Sequence, residues 1–220
     1  MFAAKARLLT PKLAAPSGAH YTDNFNRSNA STLGASWTAK DPFGIATQFR
    51  ILGNTAALSA TGIGAFGFDG VLSEYNSALS TDDHSVSLTV AATAPDFLNL
   101  YLRSNGGSEY IFATIAAGGT ADITTVIGDS GYLAANGSGT VTTRNSSAGS
   151  QTITASDLFL FQAVGNVYTL KKNGSTLVSW TDSGGAHSSY VNSTHRKAAI
   201  SIGGFSSTSQ AVDNFTADDI

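Results

Sequence analysis

The sequence predicts an all-β fold, an antiparallel β-sandwich, on three observations. Short segments of Val, Ile, Leu, Phe, Tyr and Thr alternate with polar residues at a period of two. Gly and Asn punctuate them where hairpin turns are needed. No stretch has a convincing helical period, and the residues that favour helix are sparse.

Val86, Leu88 and Val90 alternate in Ser85–Val90 and should face inward. In Phe97–Arg103, Leu98, Leu100 and Leu102 take one face, leaving Asn99, Tyr101 and Arg103 on the other. Strands continue over Glu109–Ile115 and Asp122–Ile127. The segment Leu158–Val164 is apolar on both faces, as a central strand would be. Gly165-Asn166 and Asn173-Gly174 mark two hairpins, the second with the signature of a type I′ turn. Strands follow near 176–180, 198–203 and 211–217, roughly a dozen in all. The Gly/Ser/Asn-rich stretch 134–150 reads as a long loop or weak hairpin.

Composition narrows the function classes. The chain has 220 residues, of which 23 are Gly, 28 Ser and 25 Thr, and 42% are hydrophobic. That apolar share is globular, so the Ser/Thr/Gly content is turn residues and polar sheet faces. No apolar run is long enough to span a membrane as a helix. Zero Cys excludes disulfides and thiolate chemistry. The net charge of −3 is uneven: residues 1–20 hold Lys5, Arg7 and Lys12 and no acid. The remainder carries nine basic and fifteen acidic residues, which disfavours nucleic acid as a partner.

The chain therefore divides into an arm, 1–20, and a sandwich domain, 21–220. Phe2, Lys5, Arg7, Leu8, Leu9 and Lys12 give the arm a basic–apolar character. Its charges leave no uninterrupted apolar segment of signal-peptide length. Two readings stand: an arm lying on its own domain, or one that anchors the protein in an assembly.

Asp23-Asn24-Phe25 recurs as Asp213-Asn214-Phe215, which suggests that the two ends of the domain pair side by side. The opening Asp23-Asn24-Phe25-Asn26-Arg27, followed by Leu33-Gly34-Ala35-Ser36-Trp37, resembles the start of concanavalin A-like, laminin-G-like jelly-roll domains. Gly165–Leu170 with Asn173-Gly174, and Gly203–Phe205 with Val212–Phe215, resemble their middle hairpin and last strand. The short arm and overall character are similar to minor tail or virion-surface proteins of bacteriophages of actinobacteria. That resemblance implies a virion structural protein, made in the host cytoplasm, docked by its arm among other virion proteins in multiple copies. It would touch a host-surface glycan; the alternative is a freestanding carbohydrate-binding module.

Catalysis is tested by its residues. A retaining glycosidase needs two close carboxyl groups, and glucanases of the resembled fold carry them as Glu-x-Asp-x-x-Glu on one strand. Glu74 and Glu109 are the chain's two glutamates, and neither has an acid at i+2 or i+4. Asp82-Asp83 reads as a turn before the next strand. His20, His84, His187 and His195 form no metal-ligand spacing, and Gly-x-Ser-x-Gly is absent. His84 beside Asp83 reads as a loop histidine or half of a metal pair. Asp129-Ser130-Gly131 and Asp182–Gly185 are either ordinary turns or oxygen donors for Ca2+. The expectation is no enzyme and no required cofactor or metal. Trp37 and Trp180 read as core or rim packing. Asn99, Tyr101 and Arg103 are the glycan-binding candidates, against the alternative that Tyr101 packs under a neighbouring strand.

Overall fold

The computed structural model describes residues 18–40, 48–58, 70–128, 139–203 and 210–220. Among these residues fifteen strands follow one another: β1 His20–Asp23, β2 Trp37–Lys40, β3 Phe49–Leu52, β4 Thr55–Leu58 and β5 Gly70–Tyr75. Then come β6 His84–Val90, β7 Phe97–Ser104, β8 Glu109–Ala116, β9 Ala121–Ile127 and β10 Thr140–Ser146. β11 Leu158–Val164, β12 Val167–Lys172, β13 Ser175–Thr181, β14 Lys197–Gly203 and β15 Ala211–Asp219 complete them. Among the described residues the helical content is one short 3₁₀ turn, Ser188–Tyr190, and no helix is long and apolar enough to cross a membrane.

Two antiparallel sheets face each other. One runs β13-β12-β11-β6-β15-β4-β3, with β1 on β15; the other runs β10-β9-β8-β7-β14-β5-β2. Inward residues at alternate positions fill the space between them, among them Val86, Leu88, Leu100, Ile111, Phe161 and Ile200. Leu158–Val164 is central as expected, between β6 and β12.

The ends of the domain do pair. Tyr21 lies opposite Ala217 and Asp23 opposite Phe215. The opening motif ties this join together. Asp23 accepts hydrogen bonds from Arg27 Nη1 (2.7 Å), Arg27 Nη2 (3.0 Å), Trp37 Nε1 (2.8 Å) and the Phe25 amide (2.8 Å). Trp37 then packs edge-on against Phe215 (4.6 Å) and Tyr75 (5.2 Å) and tilted against Phe25 (5.9 Å). Trp37 is core, and Trp180 is half-buried at the rim against Tyr168.

Asn173 and Gly174 both have positive φ (50° and 83°), as a type I′ turn requires. A Cβ at Gly174 would meet nothing within 4 Å, so its cost is conformational alone. Gly174→Ala should lower stability by about 1 kcal/mol, seen as a fall of about 2–4 °C in the melting temperature.

Two sequence expectations need correction, and one pair of alternatives is decided. Of the two readings of 134–150, long loop or weak hairpin, the described residues fit the second: β10 pairs antiparallel with β9 from Thr140–Ile127 to Ser146–Asp122. It is an exposed edge strand, so it lacks the apolar alternation that marks buried ones. His84 is no solvated loop residue; it is fully buried at the start of β6. Arg103 does not share a face with Asn99 and Tyr101. It sits at φ 49° beside a register shift between β7 and β14. This bulge turns its side chain inward, over the Tyr168 ring of the opposite sheet.

Candidate functional site

The outward face of the seven-stranded sheet holds the best candidate site. Strand register puts Asp122, Thr114, Asn99 and Ser201 in one row across β9, β8, β7 and β14. Neighbouring strands are about 4.8 Å apart, so Asp122 and Asn99 stand roughly 10 Å apart, with room for more than one sugar ring. Beside this row, Thr124, Phe112, Tyr101, Ala199 and Glu74 form the next.

An outward face would normally be polar throughout. Here Leu72, Tyr101, Tyr110, Val126 and Ala199 form a second apolar cluster, separate from the core, with Phe112 packed on it. Tyr101 stacks on Phe112 at 5.3 Å and 23°, and packs tilted on Tyr110 at 5.6 Å. Tyr101 is 6% exposed, so it supports the face, while Phe112 is only half-buried.

The polar row is only partly satisfied internally. Asn99 Nδ2 donates to Ser201 Oγ at 2.8 Å, and Tyr101 Oη stands 3.4 Å from both. Thr120 Oγ1 donates to Asp122 Oδ2 at 3.0 Å. The remaining acceptors, Asn99 Oδ1 and Asp122 Oδ1, have no donor although both are buried. A buried acceptor without a donor is costly, and hydroxyl groups are the donors that a sugar supplies.

Charges frame the face. Glu74 is 2% exposed, with Lys197 Nζ at 2.8 Å and Lys40 Nζ at 3.7 Å. Glu109 pairs with His195 Nε2 at 2.9 Å, and His195 stacks on Tyr190 at 5.0 Å. Both glutamates are thus engaged by basic side chains, and they stand apart on β5 and β8. Asp82 pairs with Arg196, and Asp83 accepts from the Gly165 amide. Among the described residues no group of three or more His, Asp or Glu is placed to hold a metal. Asp182 caps the following turn, accepting from the Ala186 and His187 amides.

Of the three glycan-binding candidates from sequence, the fold therefore brings Asn99 and Tyr101 together and sends Arg103 elsewhere. Thr114, Asp122 and Ser201 were missed, because membership of a cross-strand row is invisible until register is known. The arm residues Phe2, Lys5, Arg7, Leu8, Leu9 and Lys12 lie outside the described residues, as does Asp129-Ser130-Gly131.

No family model matches the chain, and no curated protein matches it. Solved structures do resemble it. β-Agarase A from Zobellia galactanivorans aligns over 95% of this chain and 97% of its own, at 10% identity and a TM-score of 0.60. The carbohydrate binding module CBM66 from Bacillus subtilis aligns over 84% and 92%, at 8% identity and a TM-score of 0.52. A prokaryotic β-1,3-1,4-glucanase (lichenase) derived from a mouse hindgut metagenome aligns over 91% and 98%, at 10% identity and a TM-score of 0.51. These neighbours are concanavalin A-like jelly rolls, and the fold of this chain is of that kind.

Proposed function

We propose that this domain binds a neutral glycan on the outward face of its seven-stranded sheet and does not cleave it. The observation that carries the reading is the row Asp122–Thr114–Asn99–Ser201, whose two unsatisfied acceptors lie beside an aromatic patch. Sugar recognition needs that pairing: an apolar ring face for stacking and fixed polar groups for hydroxyls. Support for glycans as a ligand class comes from the fold neighbours, which include a carbohydrate-binding module and glycan-cleaving enzymes. Support for binding without catalysis comes from Glu74 and Glu109, each held by basic partners, and neither followed by an acid at i+2 or i+4 along its strand.

The test is calorimetric titration with agaro-, laminari- and mixed-linkage gluco-oligosaccharides, alongside an assay for released reducing ends. Wild-type protein should bind one of these and release nothing. Asn99→Ala should weaken that binding about tenfold, the effect of losing one or two hydrogen bonds, with the fold intact by circular dichroism. Release of reducing ends, or unchanged binding by Asn99→Ala, contradicts the reading.

A further inference from the structure

Strand β10 ends the seven-stranded sheet, and one extra residue interrupts its pairing with β9. Thr143 lies opposite Thr124 and Asn145 opposite Ile123, so Arg144 has no partner across the pair. Its side chain reaches toward the opposite sheet instead. Nε donates to Thr125 Oγ1 at 2.8 Å, Nη2 donates to His187 Nε2, and the guanidinium lies over the Trp180 ring at 5.6 Å. Past this bulge, β10 holds the Asp122 end of the polar row. Ser146 lies opposite Asp122, Ser147 N donates to Ala121 O at 2.7 Å, and Ala121 N donates to Ser147 Oγ at 2.9 Å. The place of Asp122 therefore depends on the bulge, and the bulge on Arg144.

Arg144 depends in turn on a neutral histidine. An arginine N–H needs an acceptor, so His187 Nε2 carries no proton while it receives Arg144. The proton sits on Nδ1, which is buried and has no acceptor among the described residues. His187 is 1% exposed, edge-on to Trp180 at 5.8 Å and tilted against Tyr190 at 5.1 Å. Two charged groups face it: Arg144 from β10, and Asp182 from the turn after β13, which accepts the His187 amide at 2.8 Å. Behind Tyr190 lies the His195–Glu109 pair. Burial and Arg144 outweigh Asp182 and hold the His187 pKa below 6.5. A proton on Nε2 removes the lone pair that Arg144 uses and sets two cations together in a buried place. We propose that Arg144 positions the Asp122 end of the row, and that protonation of His187 expels the guanidinium and frees β10 from β9. The consequence for sugar rests on the glycan reading above; the opening of β10 does not. Closed, His187 stays neutral; open, it takes up a proton with the ordinary pKa of 6.5. Opening should be level above pH 6.5 and rise by up to about tenfold for the pH unit below it.

Amide exchange of the full chain without sugar, at pH 7.5, 6.5 and 5.5 and corrected for intrinsic rates, tests the opening. Protection over 142–147 should be level between the first two and fall about tenfold at the third. His187→Gln, neutral throughout and still able to accept from Arg144, should abolish the fall, and His84→Gln should leave it. Arg144→Gln should lower protection at every pH and remove its pH dependence. No fall in wild type, or a fall that survives His187→Gln, overturns the proposal. Calorimetric titration with the agaro-, laminari- and mixed-linkage gluco-oligosaccharides tests the positioning. Binding should weaken about fivefold or more from pH 6.5 to 5.5 in wild type and stay level in His187→Gln. Wild-type affinity in Arg144→Gln overturns the positioning role. If none of these sugars binds, the glycan reading fails by itself, and the positioning is read from the Ala121 and Asp122 amide resonances. Those should move with the opening of β10 in wild type and not in His187→Gln; resonances that stay fixed in wild type overturn it.

Discussion

Replacing Asp23 with alanine should destabilise the domain by about 3 kcal/mol, measured by chemical denaturation at neutral pH. One carboxylate receives two N–H groups of Arg27, the Trp37 indole N–H and the Phe25 amide. Removing it leaves these donors without their acceptor in a half-buried site, and each such loss costs about 1 kcal/mol or more. The damage reaches further because Trp37 packs on Phe215 and Tyr75, joining the last strand to the opposite sheet. Burial alone would raise the Asp23 pKa. The hydrogen bonds from Arg27, Trp37 and Phe25 outweigh it and hold the group below its ordinary value. Asp23→Asn keeps the size but loses one acceptor oxygen and the charge, so it should fall between wild type and alanine. A loss under 1 kcal/mol for Asp23→Ala would show that the aromatic packing holds the join without the carboxylate.

A second large effect concerns acid. His84 is fully buried, and its Nε2 accepts the Arg103 amide at 3.2 Å. Nδ1 stands 3.3 Å from the Thr81 carbonyl, so it bears the proton and the ring is neutral. Burial, then the nearby Arg103 guanidinium, pushes its pKa down from 6.5 to about 4. As pH falls below 6.5, the unfolded chain takes up a proton at this residue and the folded chain does not. Stability should therefore fall progressively from pH 6.5 to 4, by about 3 kcal/mol from this group, and this contribution should level off below pH 4. Burial, then Arg144, depresses the pKa of His187 in the same direction, which adds to the slope. Denaturant unfolding at several pH values measures this. His84→Gln should flatten the curve between pH 6.5 and 5, where most carboxylates are still ionised. An unchanged slope in that variant would place the titration elsewhere.

These two sites also show what the sequence can and cannot reveal. The Asp23…Arg27…Trp37 motif was readable because its residues lie close along the chain and carry a resemblance. The pairing of the two ends was readable from the repeated tripeptide. The Arg103 placement was not. Alternation predicts that it shares a face with Asn99 and Tyr101, but the left-handed backbone at that residue reverses it. Nothing local in Leu102-Arg103-Ser104 announces a bulge; the register shift against β14 produces it. The buried His84 follows from the same packing, since its imidazole accepts the amide of that bulge. β10 was hidden for the opposite reason, because an edge strand with both faces wet has no apolar period to read. The candidate site was half legible. Asn99 and Tyr101 stood out on one strand, whereas Thr114, Asp122 and Ser201 join them only through cross-strand register.

The most direct measurement of the central proposal is an amide chemical-shift map of the labelled full chain, titrated with the neutral oligosaccharide that binds. Shifts concentrated at Asn99, Thr114, Phe112, Asp122 and Ser201, with the ligand recovered uncut, are the predicted result. Shifts confined to another surface, or a ligand recovered as fragments, would contradict it.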